Sequence, residues 1–111
     1  MEIIASQENE IWIVELRGKL DSFTAKDFEE RLLADIAAGQ HKIIIAAEQL
    51  EYVSSAGLRI FYLAAQRLAE HGGKLVFCAL TPHVRRVFDI VDMASEFRLC
   101  ATRTEALREF V

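Results

Sequence analysis

No apolar run in the chain approaches the roughly 18 residues that a membrane-crossing helix requires, so a spanning segment is not expected. Proline occurs once and glycine five times, scattered; this leaves no flexible linker, no low-complexity tract and no Walker or dinucleotide-type phosphate loop. Lys and Arg number 13 against 17 Asp and Glu, a net charge of -4, which offers no basic footprint for nucleic acid. The opening residues Met1-Glu2-Ile3-Ile4-Ala5 lack the basic start and long apolar core of a signal peptide, and a cytoplasmic protein is expected. The two cysteines, Cys78 and Cys100, have no metal-like partner spacing and are expected as buried free thiols in that setting.

The tools of catalysis are scarce as well. Ser55 lacks the flanking glycines of a nucleophile elbow. The three histidines, His41, His71 and His83, fall at separate element ends and read as surface residues. Glu48 and Glu51 lie near the serines in sequence, but nothing marks them as an acid/base pair, and metal-ligand spacings fail to appear. No enzyme, catalytic residue, cofactor or metal is expected.

The chain does have enough apolar material for a core: 52% of its 111 residues are hydrophobic and 27% charged. That profile fits one folded domain. Ile3 and Ile4 open a short apolar segment, and the polar cluster Ser6-Gln7-Glu8-Asn9-Glu10 reads as a hairpin turn. Residues 11–17 form a β-branched, aromatic strand stopped by Gly18, and residues 18–22 a loop. Thr24 with Asp27 resembles a capping box, and Ala25, Phe28, Leu32, Leu33 and Ile36 recur on one helical face until Gly39.

Residues 43–47 are continuously apolar, as in a covered central strand of a parallel sheet. A helix is expected from about Ser55 to His71, with Leu58, Phe61, Ala65 and Leu68 inward, ended by Gly72-Gly73. Residues 74–80 form another internal strand. Thr81-Pro82 then starts a helix whose Val84, Val87, Phe88 and Val91 follow the core spacing. Residues 97–100 form a short edge strand, and Thr102 with Glu105 caps a last helix facing Ala106, Leu107 and Phe110 inward. Strands alternating with helices behind a hairpin define an α/β fold with a mixed, mostly parallel sheet and about four helices.

The serine pair stands at the start of the second helix. Ser54 suits the N-cap. A negative group on Ser55 would face unpaired N–H groups and the positive end of the helix dipole. Ala56 and Gly57 are small neighbours that would leave Ser55 uncrowded.

Taken together, Gly18-Lys19-Leu20-Asp21, Tyr52-Val53-Ser54-Ser55-Ala56-Gly57-Leu58-Arg59, Gly72-Gly73-Lys74-Leu75 and Phe88-Asp89-Ile90-Val91 resemble the STAS domain family. The resemblance is to its small bacterial anti-sigma factor antagonists and runs over nearly the whole length. It implies a partner-switching protein. The serine two places before the glycine, here Ser55, would be phosphorylated by a partner that is both serine kinase and anti-sigma factor. The unphosphorylated form would bind that partner, and a serine phosphatase would reset the modified form. Asp21, Ser54, Ser55, Ala56, Gly57 and Arg59 would share the partner surface, Ser54 being the alternative acceptor. A turn-forming or capping role for Asp21 competes with that reading.

Two positions depart from the pattern: many members carry aspartate where Ser54 stands, and often another at the end of the preceding strand, where this chain has Ala46. The alternative implied by the same family is a non-phosphorylated subunit of a membrane-associated complex, for example in lipid transport. A small hydrolase using Ser55 would need a nearby histidine. A switching subunit is expected to be monomeric alone, with no membrane insertion.

Overall fold

The computed structural model describes residues 1–92 and 94–110. Its elements run β1 (Glu2–Glu8), β2 (Ile11–Leu20), α1 (Ala25–Ala37), β3 (Lys42–Val53), α2 (Ser55–Glu70), β4 (Lys74–Cys78), α3 (Pro82–Ile90), β5 (Arg98–Cys100) and α4 (Arg103–Arg108). The five strands lie side by side in sequence order. Only β1 is antiparallel to its neighbour; β2, β3, β4 and β5 pair in parallel. The α/β class, the mixed sheet and the hairpin therefore follow the expectation.

The unbroken apolar run in β3 has a simple cause: both faces of the sheet are covered. Side chains alternate along a strand, so Ile43, Ile45 and Ala47 join a core with α1, α2 and α3. Ile44 and Ala46 join a smaller core under α4, with Ile11, Ile13, Val76, Cys78, Cys100 and Ala106. Phe61 centres the larger core, its ring 5.9 Å from Phe28, 4.8 Å from Phe77 and 6.2 Å from Phe88. Both cysteines are free and buried. Burial pushes the Cys78 thiol up to about 11, with the Glu48 carboxylate adding to the effect.

Several boundaries move. The hairpin turn shrinks to Asn9-Glu10, because Ser6, Gln7 and Glu8 pair with Ile13, Trp12 and Ile11. Gly18 does not stop β2. It takes φ +102 at a register shift, a conformation natural to glycine, and the strand continues to Leu20 opposite Val53. β3 likewise runs on to Val53, so Ala46 lies mid-strand and fully buried rather than at a strand end. β4 ends at Cys78, before Ala79 turns to φ 58.

Thr24 makes no side-chain cap for α1; its N–H donates instead to the Asp21 carboxylate in the turn before the helix. Val91 leaves the helical face altogether: α3 ends at Ile90, and Val91 is 45% exposed. On α2, Ile60 and Ala64 are fully buried in addition to Leu58, Phe61 and Leu68, whereas Ala65 is half-buried. Among the described residues no helix is long and apolar enough to cross a membrane.

Candidate functional site

The C-terminal ends of parallel strands are where open α/β sheets present their loops and helix starts. Here three junctions meet at that end: β2 to α1, β3 to α2, and β4 to α3. They are tied together by hydrogen bonds to strand carbonyls. The Ser54 N–H donates to the Leu20 carbonyl at 2.8 Å, joining the start of α2 to the end of β2. The Thr81 hydroxyl donates to the Leu50 carbonyl at 3.3 Å and accepts from the Val84 N–H, joining α3 to β3.

The two serines differ in what their hydroxyls do. Ser54 is half-buried and holds an extended backbone, and its Oγ accepts from the Gly57 N–H at 3.2 Å. It is the N-cap. Ser55 is the first helical residue and is exposed. The first turn of α2 carries no acidic side chain, so the positive end of the helix dipole is not neutralised from within the helix.

The small pair after the serines has a packing role. Gly57 is buried, and a Cβ there would stand 2.7 Å from Leu20 Cγ and 2.9 Å from Val53 Cγ2. Ala56 packs partly against the larger core. Close approach of α2 to the ends of β2 and β3, rather than access to Ser55 alone, therefore requires small residues. Arg59, four residues past Ser55, is exposed and reaches α1, where it pairs with Glu29 at 2.7 Å.

Asp21 organises the neighbouring loop. Its Oδ1 accepts from the Phe23 N–H at 2.9 Å and from the Thr24 N–H at 3.2 Å. The Asp21 N–H donates to Thr24 Oγ1 at 3.0 Å, and that hydroxyl donates its one proton best to the Lys19 carbonyl, at 2.9 Å. Asp21 is thus the turn-forming residue of the loop that leads into α1. The loop displays Phe23, 93% exposed.

Phe23 belongs to none of the motifs quoted above, while Tyr52, in the stretch before the serines, stacks its ring at 6.2 Å on His83. An isolated Phe among Ser22, Thr24 and Asp21, outside the helical apolar spacing, was the available signal for the first. His41 and His71 meet as well, stacked at 4.4 Å, although they stand thirty positions apart in the chain. The loops that carry them converge at the other end of the sheet, where the Lys74 N–H donates to the His41 carbonyl.

Ala46 pairs with Glu15 and Val53 with Leu20, so Ala46 lies about five residues of β2, roughly 17 Å at about 3.3 Å per residue, before the end of β3. Of the two departures, Ser54 is the one adjacent to Ser55, whereas Ala46 is buried further back along β3. The densest ion pairs also lie elsewhere, on the α4 face. Arg103 reaches Glu48 at 2.9 Å and Glu15 at 3.6 Å. The hydrogen bond from Arg17 is the main cause holding the Glu15 carboxyl below its ordinary value. A cavity of about 430 Å³ lined by Ile11, Lys42, Leu107 and Phe110 opens at the end opposite Ser55. No group of three or more His, Cys, Asp or Glu side chains placed to hold a metal occurs among the described residues.

The chain thus has a five-stranded mixed sheet with three helices on one face, and a serine pair opening the second helix with Ser54 as its cap. The STAS domain model matches residues 2–106, and the chain belongs to that family. BtrV of Bordetella bronchiseptica, described as a candidate anti-sigma factor antagonist, is 38% identical over 95 residues, covering 86% of this chain and 82% of its own. The anti-sigma-B factor antagonist of Staphylococcus aureus is 24% identical over 93 residues, 84% of this chain and 86% of its own. Among solved structures, a candidate anti-sigma factor antagonist from Thermotoga maritima superposes with a TM-score of 0.92 at 18% identity, covering 96% and 92% of the two chains. The phosphorylated Bacillus SpoIIAA superposes with a TM-score of 0.78 at 20% identity, covering 99% and 100%. At these identities the two structures share the fold.

Proposed function

We propose that the protein is an anti-sigma factor antagonist that works by partner switching. Unphosphorylated, it binds an anti-sigma factor that is also a serine kinase; phosphorylation of Ser55 releases it, and a serine phosphatase restores it. It is a binding protein, not an enzyme. The observation that carries this reading is the division of labour between the serines: the Ser54 hydroxyl is spent on the cap, whereas Ser55 is exposed at a helix start without an acidic first turn. The relatives named as anti-sigma factor antagonists support the partner class.

Phosphate adds about -1.5 to -2 charges and three acceptor oxygens. Free in solution, that charge is favoured by the helix dipole; pressed into an interface matched to a neutral hydroxyl, it repels and is desolvated. A thousandfold change in affinity corresponds to about 4 kcal/mol, within the range of such an electrostatic mismatch. The fold need not change.

The test is incubation with the serine kinase and ATP followed by mass mapping, with binding measured for the wild type, Ser55→Ala and Ser55→Asp. Phosphate on Ser55 and loss of binding by Ser55→Asp are expected. Phosphate on Ser54 alone, or full binding by Ser55→Asp, would remove Ser55 from the mechanism.

A further inference from the structure

We propose that Phe23 is the aromatic anchor by which this surface grips its protein partner, and that Asp21 is the residue that positions it. The inference rests on the partner-switching reading and assigns a part of the interface that the serines do not supply.

Phe23 is 93% exposed, while Phe28, Phe61, Phe77 and Phe88 are among the largest fully buried side chains. A phenylalanine in water contributes no burial to the fold, yet its backbone is held firmly. Asp21 Oδ1 accepts from the N–H groups of Phe23 and Thr24 at 2.9 and 3.2 Å. Thr24 Oγ1 spans the loop, accepting from the Asp21 N–H and donating to the Lys19 carbonyl. A loop ordered before docking loses less entropy on docking, and aromatic side chains entering a partner's pocket supply much of the binding energy in protein interfaces.

Its position joins it to the switch. Leu20, at the root of the loop, pairs with Val53 and accepts from the Ser54 N–H at 2.8 Å. Neighbouring strands stand about 4.8 Å apart, so the loop and the start of α2 form one continuous surface. The exposed charges flanking Phe23 are of both signs, Lys19 and Lys26 with Asp27. That mixture suits the rim of a protein interface around an apolar pocket better than an anionic membrane surface, which would select cations alone. On this account Asp21 acts through the loop it orders, not through contact of its carboxylate charge with the partner.

The experiment measures binding of the unphosphorylated protein to the serine kinase that modifies Ser55, for the wild type, Phe23→Ala, Asp21→Asn, Asp21→Ala and the double alanine variant. Backbone ¹⁵N relaxation of residues 22–24 is measured in parallel on the free proteins. Phe23→Ala should weaken binding by about tenfold or more. Asp21→Asn keeps the Oδ1 acceptor and should bind within about threefold of the wild type with the loop still ordered. Asp21→Ala should loosen the loop and weaken binding as Phe23→Ala does, and the double variant should add nothing further.

Wild-type binding by Phe23→Ala, with binding lost in Ser55→Asp, would overturn the anchor and leave the switch standing. Equal losses in Asp21→Asn and Asp21→Ala with an ordered loop would overturn the positioning role. Absence of binding by the wild type itself would overturn the switch and the anchor together.

Discussion

Gly57 rests so closely on Leu20 that a Cβ at position 57 would stand 2.7 Å from the leucine Cγ. The start of α2 is therefore set by contact with the end of β2 as well as by its cap. Gly57→Ala should destabilise the protein by about 1–3 kcal/mol through overpacking, read as a lower urea midpoint with an unchanged m-value. Leu20→Ala in the same chain should recover part of the loss, and a strictly additive pair would contradict the contact.

Removing the cap should be milder. Ser54→Ala is expected to cost about 1 kcal/mol, and Ser54→Asn much less, because asparagine offers an equivalent acceptor to the Gly57 N–H. Thermal denaturation of the two variants separates capping from any effect on Ser55, whose phosphorylation both should permit.

Phosphate on Ser55 should stabilise the free protein slightly, by about 0.3–1 kcal/mol at low salt, since it meets the positive end of α2. A lower melting temperature for the phosphorylated form would indicate that release works through disruption of the fold. Arg59 lies one helical turn on, and its exposed pair with Glu29 should contribute little by itself.

The Cys78 thiol gives a pH signature. Its ordinary value of 9.0 is pushed up to about 11 by burial. The folded chain therefore keeps a proton that the unfolded chain releases. Stability from this group is full below pH 9.0 and declines as the pH rises toward about 11. Thiol reagents at pH 8 should leave Cys78 unlabelled in the native protein and label it on unfolding; rapid native labelling would contradict its burial.

Much of this architecture is legible in the chain because its signals are local. The Thr102 and Glu105 cap, the Thr81-Pro82 helix start and the Phe28, Leu32, Ile36 face depend on neighbours a few positions apart, and each appears as read. What escaped depends on distant partners or on competition between near ones. Gly18 looks like a stop until β3 is laid beside it, where it becomes an irregularity in a strand that continues. Thr24 matches a capping pattern, but its hydroxyl is drawn instead to the Lys19 carbonyl, and Asp21 supplies the acceptor. Val91 keeps the helical period on paper; the helix ends one residue sooner. The roles of Ser54 and Gly57 illustrate both kinds: the cap is a three-residue relation, while the need for glycine comes from Leu20 in another strand.

Trp12 is the chain's one tryptophan, and its indole N–H donates to Asp35 at 2.9 Å, at the end of the sheet away from Ser55. The molecule thus carries a single tryptophan, anchored between β2 and α1 and remote from Ser55. Its emission should follow global unfolding while staying indifferent to events at the serine pair. One cuvette can then tell a variant that no longer folds from a variant that folds and no longer docks.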